Sequence, residues 1–118
     1  MIRLSFPFPP SVNNLFVNVK RGRVKSASYK AWEQLAGLAV KDSHRQGIGA
    51  YSIAICLKRP DRRVRDLGNY EKAISDALVA HGVIADDSDC ERLTMQWDHG
   101  MVEECVVLVM PAEEALAA

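Results

Sequence analysis

Tyr51, Ile53, Ile55 and Leu57 alternate with Ser52, Ala54, Cys56 and Lys58, the period-two pattern of a half-buried strand. Ile2 to Phe8 alternates more loosely and halts at Pro9-Pro10, which predicts a strand running into a rigid loop. That loop continues through Ser11-Val12-Asn13-Asn14 into a basic stretch around Gly22 that suits either a hairpin or a mobile loop. From Ser28 the period changes: Tyr29, Trp32, Leu35, Ala36, Ala39 and Val40 recur at spacings of three and four, a helical stripe. Ser28 is its expected N-cap, and Gly47 and Gly49 mark the stop. A second helix is expected from about Asn69 to His81, with Tyr70, Ala73, Ile74, Ala77 and Leu78 on one apolar face and Gly82 at the C′ position. Leu93, Met95 and Trp97 alternate again, His99-Gly100 makes a turn, and Val102 to Met110 returns as a last strand. The Ala- and Glu-rich tail, 111–118, reads as frayed. The order β-α-β-α-β-β predicts a single α+β domain over 1–118, with a mixed sheet of about four strands and two helices.

Length agrees: 118 residues leave no room for two separately cored domains. The longest strongly apolar run, Cys105 to Pro111, is far short of the ~20 residues of a membrane-crossing helix, so no membrane association is expected. The N-terminus lacks the regions of a signal peptide. The three cysteines, Cys56, Cys90 and Cys105, show no short metal-ligand spacing, and reduced thiols in the cytoplasm are the expectation. Net charge is zero, yet nine of the fifteen basic residues fall in Lys20–Lys25 and Lys58–Arg65. Local patches of this kind bind phosphate whatever the total charge, because potentials are screened within ~10 Å at moderate salt.

The candidate chemistry lies in Arg62-Arg63-Val64-Arg65-Asp66-Leu67-Gly68-Asn69-Tyr70-Glu71-Lys72 and, later, Asp86-Asp87. On the second helix Asn69, Lys72 and Asp76 lie within about 60° of one another on the polar side. Asp66 sits just before the helix, where exposed amides and the dipole favour phosphates. Phosphodiester hydrolysis needs a nucleophilic water and charge compensation, which a divalent ion on clustered carboxylates supplies. Duller readings stand beside each of these. Asp66 with Asn69 suits helix capping, Asp86-Asp87-Ser88-Asp89 suits a solvated turn, and the arginine run suits a solvated loop. Lys72 with Asp76 suits a surface ion pair worth about 0.5 kcal/mol or less.

Pro9-Pro10-Ser11-x-Asn13-Asn14, then Pro60-Asp61-Arg62-Arg63-x-Arg65-Asp66-Leu67-x-Asn69-x-x-Lys72-Ala73, then Asp76-Ala77-Leu78 followed by Asp86-Asp87, resemble in order the RusA-type Holliday-junction resolvases. The resemblance runs from about Ser5 to Trp97. It implies a homodimeric endonuclease, often encoded by phages and prophages, that resolves four-way DNA junctions by paired nicks in recombination and repair. The cofactor implied is Mg²⁺, with Mn²⁺ as a substitute. It implies catalytic roles for Asp66, Lys72 and Asp87, metal ligation by Asp66 and Asp87 with Asp86 as a further ligand, and DNA contacts from Asn13, Asn14, Arg62, Arg63, Arg65 and Asn69. One position departs: Gly68 stands where the family motif has a second essential aspartate. Either a neighbouring carboxylate such as Asp86 or Asp89 takes its place, or the chain is a silent junction binder. A two-fold axis supplies the second site that paired nicking needs.

Overall fold

The odd positions of Tyr51–Leu57 are buried and the even ones half-buried, so the strand is laid down as its alternation requires. In the computed structural model, which describes residues 1–117, the strands are β1 (Ile2–Phe6), β2 (Phe16–Val19), β3 (Gly22–Lys25), β4 (Tyr51–Leu57), β5 (Cys90–Trp97) and β6 (Cys105–Pro111). The helices are α1 (Ala27–Ala39), α2 (Glu71–Ala80) and α3 (Ala112–Ala117). Four strands form a mixed sheet in the order β1-β6-β4-β5. β6 is antiparallel to both β1 and β4, and β4 is parallel to β5. The fold is therefore the expected α+β domain with a four-stranded mixed sheet.

Burial explains the strand order. Cys105, Val106, Val107 and Val109 are all buried, as befits an interior strand whose run is apolar without alternation. Most of β5, by contrast, is exposed, with Glu91, Arg92 and Gln96 on it, and charged side chains discourage pairing with a foreign strand at an open edge. Tyr29, Trp32 and Ala36 of α1 and Ala73, Ile74, Ala77 and Leu78 of α2 share one core with Ile2, Leu4, Ile55, Leu57 and Val107. Each such Leu or Ile stabilises the fold by about 1.5–3 kcal/mol relative to exposure. Trp32 keeps its indole N–H satisfied on Pro7 O at 2.9 Å. The helices approach closely at Gly37, where an added Cβ would stand 2.7 Å from His81 Cε1.

The structure differs from the sequence expectation at several boundaries. The basic stretch is a hairpin, β2–β3, forming its own two-stranded sheet. The N-cap of α1 is Ser26, whose hydroxyl accepts from Tyr29 N, rather than Ser28. Leu35 is 54% exposed, off the core stripe, and α1 ends at Ala39, well before Gly47 and Gly49. The second helix is a 3-10 turn, Leu67–Tyr70, followed by α2, with Gly82 at φ 75° beyond its end as expected. The last strand starts at Cys105 and leaves Val102 90% exposed. Where the tail reads as frayed, Pro111 completes β6 and 112–117 form α3, tied by Ala112 N to Ala50 O at 3.0 Å.

Candidate active site

Because Tyr70, Ala73, Ile74, Ala77 and Leu78 commit one face of the second helix to the core, its other face turns outward with Lys72 and Asp76 one turn apart. Lys72 Nζ lies 3.1 Å from Asp76 Oδ1, and Tyr29 OH donates to Asp76 Oδ2 at 3.3 Å. Lys25, at the end of the hairpin, donates to both oxygens of Glu33 at 3.1 and 3.0 Å. These residues, with Phe16, Asp86 and Asp87, line a cavity of about 450 Å³. The hydrogen bond and charge of Asp76, and after them the charges of Asp87 and Glu71, hold the Lys72 ammonium above its usual pKa. Burial first, then the charges of Asp76 and Glu33, pushes the Tyr29 phenol up, so it remains a protonated donor. The site thus holds a fixed cation among carboxylates.

The expected residues are divided by this geometry. Lys72, Asp86 and Asp87 come together in the cavity, whereas Asp66 lies outside its lining. Asp66 stands at the N-cap of the 3-10 turn without a side-chain capping bond, so its carboxylate is uncommitted and the capping reading does not describe it. Asp86, read from the sequence as part of a solvated turn, is exposed and caps the short 3-10 turn Asp87–Asp89: its Oδ1 accepts from Ser88 N at 2.8 Å, and this backbone donor lowers its pKa. Glu71 accepts from the Ser75 hydroxyl, so one of its carboxylate oxygens is engaged within its own helix. At Gly68 an added Cβ would meet nothing within 4 Å, and the residue is not among the glycines with positive φ; no backbone requirement keeps it a glycine. Among the described residues no three His, Cys, Asp or Glu side chains are gathered as a ready-made metal cage.

The expected DNA contacts also divide. Arg62 and Arg63 are exposed, but Arg65 is tied to Asp61 by Nη2 at 2.6 Å and Nε at 3.2 Å and donates to Tyr70 OH at 3.1 Å. It braces the loop. The turn bearing Asn13 and Asn14 packs against Leu67–Tyr70 and α2, so both asparagines sit beside the Asp66–Asn69 segment; Asn14 Nδ2 donates to Ser11 Oγ at 3.2 Å. Tyr29, Glu33 and Lys25 escape sequence reading as site residues. Tyr29 belongs to the apolar stripe by its ring, and only its position four residues before Glu33, on the same helix face, hints that its hydroxyl serves the site.

Residues 7–107 match the family model described as Endodeoxyribonuclease RusA. The chain belongs to the RusA family. It is similar to the crossover junction endodeoxyribonuclease RusA of Escherichia coli strain K12, 35% identical over 88 residues covering 72% of each chain. The protein of the same name from Enterobacteria phage 82 is 36% identical over 88 residues, again 72% of each chain, and that of Shigella sonnei strain Ss046 is 35% identical over the same coverage. The span matched to the RusA model contains every site residue above.

Proposed function

We propose that this RusA-family chain is a divalent-cation-dependent endonuclease that resolves four-way DNA junctions by paired nicks, acting as a homodimer in recombination and repair. The observation that carries the proposal is Lys72, held by Asp76 in the cavity it shares with Asp86 and Asp87. The donor set suits a hard cation. Mg²⁺ is held by one or two carboxylates with water and substrate phosphate filling the remaining positions, and Asp87 with Asp66 or Asp86 offers that number. When bound, such an ion supplies a nucleophilic water at neutral pH and charge compensation on the phosphate. Lys72, protonated through neutral pH, donates to a phosphate oxygen or to the ester oxygen as it leaves. Asp76, itself bonded by the Tyr29 hydroxyl, orients the half-exposed ammonium at the cavity. Water adds to phosphorus, one P–O ester bond breaks, and the departing oxygen takes a proton. Arg62 and Arg63 hold the backbone on one side, with Asn13, Asn14 and Asn69 beside the scissile segment. Among the described residues Lys72, Asp86 and Asp87 are gathered in one cavity, so opposed nicks call for two copies.

The test is nicking of mobile and fixed synthetic four-way junctions with Mg²⁺, with Mn²⁺ and with EDTA. Divalent-dependent paired nicks are expected, from a species that scatters light as a dimer. Gly68 and the placement of Asp66 outside the cavity favour one other reading, a junction binder that does not cut; tight, salt-sensitive binding without nicks in either metal identifies it. Absence of both binding and nicking refutes the two together.

A further inference from the structure

The basic segment ahead of α1 has a geometry of its own. The first acidic residue of the chain is Glu33, and six cations precede it; four of these, Lys20, Arg21, Arg23 and Lys25, are on the β2–β3 hairpin. Directly paired residues of two antiparallel strands share a face, so the pairs Phe16–Lys25 and Asn18–Arg23 place those four side chains together. Phe16 and Lys25 line the cavity that holds Lys72, Asp86 and Asp87. Arg23 belongs to the same face, its guanidinium lying over the Phe16 ring at 4.7 Å. Val17, Val19 and Val24, each 43–48% exposed, occupy the opposite face. Pairing of Val19 with Gly22 leaves Lys20 and Arg21 as the two turn residues at the tip. The cationic side of the ribbon therefore faces the acidic cavity.

The base of the ribbon is tied to the body of the protein. Ser26 N donates to Leu15 O at 2.8 Å and Ser26 Oγ to Asn14 O at 2.7 Å, Phe16 packs edge-on to Tyr29 at 6.0 Å, and Lys25 is paired with Glu33. Among the described residues Lys20, Arg21 and Arg23 have no carboxylate within ion-pair distance. A two-stranded ribbon on its own is marginally stable and pliable. From its base the arm reaches about 13 Å, roughly four base-pair rises of duplex.

We infer that the β2–β3 hairpin is a phosphate-gripping arm, which holds the DNA backbone beside the active-site cavity that its base lines; this rests on the proposed action on DNA. Uncompensated cations spread along a pliable ribbon neutralise successive phosphates, whereas an acidic cavity by itself repels the strand that it must cut. Lys20, Arg21 and Arg23 supply that attraction and Lys25, half-neutralised by Glu33, marks its inner end. The arm holds backbone without reading sequence, since its side chains offer charge and forked donors rather than a rigid set aimed at base edges.

Junction binding at a series of salt concentrations tests this, with Lys20→Gln/Arg21→Gln and Arg21→Gln/Arg23→Gln compared with the charge-matched control Lys41→Gln/Arg45→Gln. All substitutions are on exposed side chains, and thermal melts verify folding. Each hairpin variant is expected to lower the slope of log affinity against log salt by between about one and two units, at ~0.9 for each phosphate no longer neutralised, equally on junctions of different sequence; the control is expected to match the parent. If the parent binds junctions with a salt slope that both hairpin variants retain, the arm is refuted and the DNA reading stands. A weakening confined to one junction sequence refutes the phosphate assignment. A parent without salt-sensitive binding overturns the arm and the DNA reading together.

Discussion

Restoring a carboxylate at position 68 is the sharpest perturbation of the metal site. Gly68 lies in the 3-10 turn between Asp66 and Lys72, its Cβ direction is open, and its φ is not positive. Gly68→Asp therefore costs no steric strain. Repulsion from Asp66 at ~6 Å through water costs about 0.7 kcal/mol, and the better helix propensity of Asp over Gly returns about 0.3 kcal/mol. The melting temperature should fall by no more than ~3 °C. The gain is larger: one carboxylate and a divalent cation ~4 Å apart attract by about 2 kcal/mol even at the dielectric of water. That is a factor of about 30 in affinity. In a nicking assay titrated with Mg²⁺, the half-maximal concentration should drop at least tenfold, and any preference of the parent for Mn²⁺ should narrow, since Mn²⁺ is the less demanding ion for a sparse ligand set. A folded Gly68→Asp variant that nicks with an unchanged metal requirement refutes the reasoning, because position 68 then does not face the ion. Cutting by Gly68→Asp alone, from a parent that only binds, identifies the parent as the silent binder.

Lys72→Ala and Asp87→Asn should each lower nicking by about 10²-fold or more, the scale of losing a group that meets transition-state charge, while junction affinity is retained; an unaffected rate in Asp87→Asn places the metal elsewhere. Asp76→Asn removes the main group that holds the Lys72 pKa up, so that pKa falls and the alkaline limb of the nicking pH profile moves to lower pH. With side chains 49% and 30% exposed, the pair contributes ~0.5 kcal/mol or less to stability, present below the unfolded-state lysine pKa and lost only as pH rises through the raised one. An unmoved alkaline limb in Asp76→Asn means that Lys72 is not the titrating group. Gly37→Ala brings a methyl to 2.7 Å from Cε1 at the end of the half-buried His81 side chain, which can rotate away, while Ala in a helix interior gains about 1 kcal/mol over Gly; the variant should therefore lie within about 1 kcal/mol of the parent in a denaturant melt, and a larger loss means that the imidazole is held rigidly in the α1–α2 contact.

The core helices and β4 were legible because their residues obey local rules. A residue three or four positions along a helix, or two along a strand, shares a face with its neighbour whatever the remainder of the chain does. Tyr70, Ala73, Ile74, Ala77 and Leu78 are buried as their spacing demands, and the family motifs lie at sequence separations fixed by the same elements. Boundaries were less legible: Ser26 and Ser28 are equally able to cap, and the chain chooses Ser26, whose hydroxyl also reaches Asn14 O at 2.7 Å, a contact twelve residues away.

The α+β class, the four sheet strands and the identity of Lys72, Asp86 and Asp87 as residues to be brought together are written in the order of residues along the chain. Which carboxylates are free to act is a property of the packed molecule alone. Asp86 is engaged by Ser88 N, Glu71 by Ser75, and Asp66 is uncommitted but outside the cavity. Packing likewise makes Tyr29, read as a core aromatic, extend its hydroxyl to Asp76, and brings Phe16 and Lys25, at the base of the basic hairpin, into the lining of the same cavity. The reason is that hydrogen-bond acceptance and electrostatic attraction fall off over a few ångströms. They depend on which segments the sheet order β1-β6-β4-β5 and the α1–α2 packing bring into contact, and no periodicity along the chain encodes those distances.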